Sequence, residues 1–114
     1  MVSIIQFRKI ALSLPEVVEL PHFEKTSFRV NKKIFATLAE QDYKACLSLS
    51  EIDQDVFSTL GRHAIYPVPN KWGKHGWTFV DLNEVGERIL KDALVTAYCK
   101  VAPERLAAKI DRDD

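Results

Sequence analysis

"TSFRVNKKIFATL", Thr26 to Leu38, decides the fold. Its apolar residues recur with a period of two on either side of Asn31-Lys32, so it reads as two strands joined by a tight turn. Asn tolerates the positive φ that short hairpin turns require. Two registers are open. A two-residue turn pairs Phe28 with Phe35, and a three-residue turn pairs Val30 with Ile34.

Downstream, "YKACLSL" continues the period-two pattern. Tyr43, Ala45, Leu47 and Leu49 alternate with Lys44, Cys46 and Ser48, which implies one covered face and one more open face. "AIYPV" (64–68) and "GWTFVDL" (76–82) are two further strands.

Helical periodicity surrounds these strands. Ser3 and Gln6 form a capping-box pattern, and Phe7, Ile10, Ala11 and Leu14 follow as a stripe that Pro15 ends. "LPEVVELPHFEK" reads as a connector with two prolines. Ser50 and Asp53 open a second helix, with Ile52, Val56, Phe57 and Leu60 as its buried stripe and Gly61 as its stop. The last helix is expected to start at Asp81 or Asn83. Its apolar face is Val85, Ile89, Ala93, Leu94, Ala97, Tyr98 and Val101. Pro103 is expected to kink or break it, with "ERLAAKI" resuming as a short helix.

The expected order is α-β-β-β-α-β-β-α, and short turns between strands make the sheet antiparallel. The prediction is a two-layer α+β domain, with helices on one face, over residues 1–114. That length suits one domain and can bury a core without disulfide or metal staples.

Composition narrows the function classes. The 114-residue chain has a formal net charge of zero, with 46% hydrophobic and 28% charged residues. A charge-driven partner must therefore meet a local patch. The N-terminus has no signal-peptide pattern and no stretch reaches membrane-span length, so a cytoplasmic protein is expected. Cys46 and Cys99 are far apart and read as structural thiols.

No chemistry-bearing constellation emerges. His22, His63 and His75 have no second ligand at metal spacing, so no metal or cofactor is expected. No nucleophile, base and acid converge, so no catalytic residue is assigned and a non-enzyme is expected. "GKHG" (73–76) precedes a strand rather than a helix, which is wrong for a phosphate-binding P-loop. Its glycines are expected to permit positive φ at a hairpin tip.

The charge pattern is more informative. Arg62 to Val80 contains no acid but carries Arg62, Lys71 and Lys74 with His63 and His75. The first hairpin tip carries Lys32 and Lys33, with Arg29 and Lys25 behind it. Two basic turns at one edge would suit phosphates, whereas isolated lysine turns would only protect strand edges. Trp77 is expected to anchor the core, and Trp72 either packs against Pro67 or Pro69 or offers a stacking face.

"LSLPEVVELPHFEKTSFRVNKKIFATL", "YPVPNKWGKHGWTFVDL" and "AYCKVAPERLAAK" resemble, in order and spacing, the MmcQ/YjbR family of small, mostly bacterial proteins. The resemblance implies a CyaY-like fold. It also implies double-stranded DNA binding through a double-wing motif of two hairpins. On this sequence the phosphate contacts would be Arg29, Lys32, Lys33, Arg62, Lys71 and Lys74, with Trp72 or His75 touching bases or sugar. Iron binding of the frataxin type is disfavoured, because the first helix carries Arg8 and Lys9 and no acid before Pro15. The alternative is a scaffold that offers its open sheet face to a protein or small molecule.

Overall fold

The structure is a computed structural model and describes residues 1–110. It is an α+β assembly of one six-stranded antiparallel sheet and five helices. The chain runs α1 (Ile4–Leu12), β1 (Val18–His22), β2 (Lys25–Val30), β3 (Lys33–Ala39), β4 (Lys44–Ser48), α2 (Glu51–Gly61), β5 (Ile65–Pro67), α3 (Lys71–Lys74), β6 (Trp77–Asp81), α4 (Glu87–Val101) and α5 (Glu104–Ala107). In space the strands lie in the order β1-β2-β3-β4-β6-β5.

The "TSFRVNKKIFATL" hairpin resolves its register in a way neither expectation anticipated. Asn31 and Lys32 both adopt positive φ, 51° and 67°, which makes a two-residue type I′ turn. Val30 pairs with Lys33 and Arg29 with Ile34. A bulge then shifts the ladder, so Phe28 faces Ala36 instead of Phe35. The extra residue lets Phe35 and Ala36 both be buried.

One face of the sheet is covered by helices. Phe7 of α1 meets Phe28 edge-on at 5.6 Å between ring centres, and Tyr98 of α4 meets Phe35 at 5.5 Å. The Tyr98 hydroxyl donates to the Pro15 carbonyl at 2.7 Å. Leu38, Leu47, Val80, Leu90 and Leu94 complete the centre of the core. On the rim, Arg8 of α1 reaches Glu19 of β1 at 2.9 Å and Glu40 at 3.2 Å.

Several elements differ from the sequence expectation. The proline-bearing connector contains a strand: Val18–His22 pairs with β2 from Val18↔Arg29 to His22↔Lys25. It is an edge strand, so Pro21 is tolerated there without a ladder donor. The observed structure thus has one more strand and one more short helix, α3, than expected, while α5 is the short helix expected after Pro103.

On α2, only Phe57 of the expected stripe is buried; Ile52, Val56 and Leu60 are exposed. The helix instead turns Gln54, Phe57 and Gly61 inward. Gly61 does not supply the left-handed stop, which falls to Arg62 at φ 53°. A β-carbon on Gly61 would lie 2.5 Å from Ile65 Cγ1, so close packing explains the glycine.

The last helix begins later than Asp81 or Asn83, at Glu87 with Gly86 as its N-cap. Asp81 ends β6, and its carboxylate caps a turn by accepting from the Asn83 N–H at 3.0 Å. The apolar face of α4 also includes Leu90, which the spacing argument omitted. Tyr43 lies outside β4, at φ 49° and half exposed.

Candidate nucleic-acid interface

The strand register fixes where the basic turns lie. Leu47 pairs with Ala36, so β4 ends beside the start of β3 and hence beside the Asn31-Lys32 turn. Ser48 pairs with Trp77, and Pro67 with Thr78. The β5–β6 connection therefore emerges from that same end of the sheet. At about 4.8 Å per strand spacing, the midpoints of the two turns are about 14 Å apart. Lys32, Lys33, Lys71, Trp72, Lys74 and His75 thus come together at one end, with Arg29 just inside it.

Arg62 does not join them. It precedes β5, and Ile65 pairs with Val80 towards the opposite end of β6. Arg62 and His63 consequently sit at the far end. Lys25, the first residue of β2, also starts from the far end instead of backing the turn. Glu51 and Asp53 open α2 just past β4, and Glu16 precedes β1 at the end where Val18 pairs with Arg29, its carboxylate 3.2 Å from Arg105.

The β5–β6 connection is a fitted structure, and within it α3 forms a single helical turn. The Asn70 side chain accepts from the Trp72 N–H at 2.8 Å. The amide nitrogen of Gln54 reaches the Gly73 carbonyl at 2.9 Å and the Trp77 carbonyl at 3.1 Å, tying the loop to α2. Only Gly76 of the two loop glycines uses positive φ, at 94°. Gly73 is required by close approach, because a β-carbon there would lie within 1.9 Å of the Val68 carbonyl oxygen.

Trp77 takes a different place from the one expected, and Trp72 takes the exposed one of its two alternatives. Trp72 is 53% exposed, with the Lys71 ammonium 5.6 Å from its ring centre and the His75 ring at 6.3 Å. Trp77 is half-buried on the open face of the sheet and is not part of the core cluster. Beside it on that face, Phe79 packs with Tyr66, and the Lys44 ammonium lies 4.8 Å from the Phe79 ring centre.

A groove of about 430 Å³ crosses this face obliquely. It opens between the basic turns, with Ile34 following Lys33 on one side and Trp72 on the other, and runs to His22 and Lys25. Its floor includes Trp77 and Phe79, and no carboxylate among the described residues lines it. Sequence reasoning missed this groove, because its residues come from strands far apart in the chain. The period-two pattern did mark their shared face.

Cys46 lies in the groove floor. Burial pushes its thiol up to about 11, so it is protonated at neutral pH and lacks the thiolate of a nucleophile. Both cysteines are free thiols. Among the described residues no three His, Cys, Asp or Glu side chains gather as a metal-ligand set. No helix among the described residues is long and apolar enough to cross a membrane.

The YjbR family model matches residues 12–100, which span every strand and most of α4. The chain belongs to the YjbR family. The fold of this YjbR chain is similar to the crystal structure of Deinococcus radiodurans protein DR2400, with the family-model domain DUF419. The TM-score is 0.78 at 20% identity, covering 92% of this chain and 82% of that one. This likeness concerns the fold alone. No curated protein matches the chain.

Proposed function

We propose that this YjbR protein is a non-enzymatic DNA-binding module that holds the phosphate backbone with two basic turns. The observation that carries this reading is their convergence: Lys32-Lys33 and Lys71-Lys74 leave the same end of the sheet. Neutral overall charge is compatible with this, because affinity follows the local field. The phosphate contacts are Arg29, Lys32, Lys33, Lys71 and Lys74, while Arg62, at the other end, is outside the interface.

The experiment is fluorescence anisotropy with random duplex DNA over a salt series. Binding is expected to be weak, with little sequence preference, and to fall steeply with salt as counterions are released. Lys32→Glu with Lys33→Glu should weaken it, and so should Lys71→Glu with Lys74→Glu. Glu87→Lys with Asp92→Lys on α4 should leave it no weaker. Absence of binding at low salt, or indifference to both lysine pairs, would overturn the reading. A second reading, a partner or small molecule on the open sheet face, is favoured by the groove.

A further inference from the structure

The groove and the turns together specify more than phosphate contact. We infer that the open sheet face takes unpaired bases, so that the preferred ligand is single-stranded nucleic acid running from the basic turns across the sheet. This rests on the turns acting as backbone contacts, and it assigns the groove a separate role.

Three features point to this occupant. The first is chemical. Trp72, Trp77 and Phe79 bring aromatic surface to one groove, with Lys25 and His22 at its far end. Aromatic rings interleaved with cationic groups match a chain of planar bases joined by anionic phosphates. The absence of carboxylates among the described lining residues keeps the path free of repulsion.

The second is geometric. The faces of duplex bases are covered by their neighbours, so a concave aromatic surface has no partner on a duplex. Only unstacked bases offer those faces. From β6 to β1 the path crosses four strand spacings, about 19 Å, which accommodates a few nucleotides rather than one.

The third is continuity. At the far corner, Phe23 is 94% exposed at φ 57° and lies edge-on to His22, 4.9 Å between ring centres. An exposed aromatic held at positive φ is costly for a bulky side chain. It extends the aromatic series past the end of the groove.

The test compares labelled oligothymidylate of about 12 nucleotides, a length within the range of known single-strand sites, with a duplex of equal length at low salt. Anisotropy and tryptophan fluorescence are both read, and oligouridylate forms a parallel arm to separate DNA from RNA. The single strand is expected to bind at least about tenfold tighter than the duplex and to quench tryptophan emission, as base stacking on an indole requires. Trp72→Ala should lose about tenfold in single-strand affinity, within the range for one stacked base, and Trp72→Phe should recover most of it. Lys25→Glu should weaken single-strand binding several-fold and leave duplex binding unchanged. Both Trp72 and Lys25 are exposed, so these variants report binding rather than folding.

The outcomes separate the two readings. Duplex binding that depends on the lysine pairs, without quenching by the single strand, removes the base-groove inference and leaves the proposed function standing. Single-strand binding that depends on Trp72 but not on the lysine pairs keeps the groove and removes the turns. Saturation by free thymidine monophosphate as tight as by the oligonucleotide would make this a nucleotide pocket and overturn the single-strand assignment. No binding of any of these ligands overturns both.

Discussion

The Leu49 N–H donates to the Gly76 carbonyl at 3.0 Å, and the Leu49 carbonyl oxygen lies so near Gly76 that a β-carbon there would come within 1.7 Å. This double approach fastens the β5–β6 connection to the end of β4. It is what holds the second basic turn level with the first.

Gly76→Ala is therefore expected to destabilise strongly. It combines positive φ with a clash against backbone that cannot move away, at a cost of about 3 kcal/mol or more. Thermal denaturation should show a fall of roughly 10–20 °C for a domain of this size. Gly86→Ala is the comparison, since nothing lies within 4 Å of a β-carbon there. It should cost less than about 1 kcal/mol. Similar melting curves for the two variants would contradict this account of the loop.

The tryptophans should separate by burial. Trp77 is half-buried on the sheet and Trp72 is 53% exposed. Trp77→Ala should cost about 1–3 kcal/mol, below the cost for a fully buried tryptophan. Trp72→Ala should stay under about 1 kcal/mol. A larger loss for Trp72 in chemical denaturation would reverse their assigned places.

The outward stripe of α2 gives a sharp test of helix orientation. Ile52, Val56 and Leu60 are 77%, 46% and 55% exposed, whereas Phe57 is 8% exposed. Ile52→Ser should change stability by no more than about 0.5 kcal/mol. Phe57→Ala should cost about 3 kcal/mol or more. Comparable losses would mean that the helix packs by the stripe its sequence suggests.

Cys46 should show its burial in alkaline titration. In a Cys99→Ser background, thiolate absorbance should appear with a midpoint near 11, against 9.0 for an unperturbed thiol. Because the folded protein holds this proton more tightly than the unfolded chain, the corresponding stability is full below about pH 9. It is lost as pH rises from there through about 11. A native-state midpoint at or below 9 would place the thiol in solvent.

Much of the architecture was legible because local rules and tertiary needs agreed. The Ser3/Gln6 capping box, the Ser50 cap and the Asn31-Lys32 turn all formed as local chemistry requires. The strand in "VELPH" was concealed because Pro21 within it and Pro15 before it advertise irregular chain, and only an edge position makes Pro21 acceptable. The α2 stripe misled because periodicity reports that apolar residues share a face, and does not report which face the rest of the protein covers.

The sequence by itself determined the α+β class, the position of the first hairpin's turn at Asn31-Lys32 and the lysines of two separate turns. Those features depend on neighbours within a few residues. Only the tertiary structure decided that the two turns share one end of the sheet, that Arg62 lies at the other, and that Trp72, Phe79 and Lys25 border one groove. Each of these is set by ladder register between strands distant in the chain. A one-residue shift in that register would turn every side chain of a strand to the opposite face while leaving the sequence pattern unchanged.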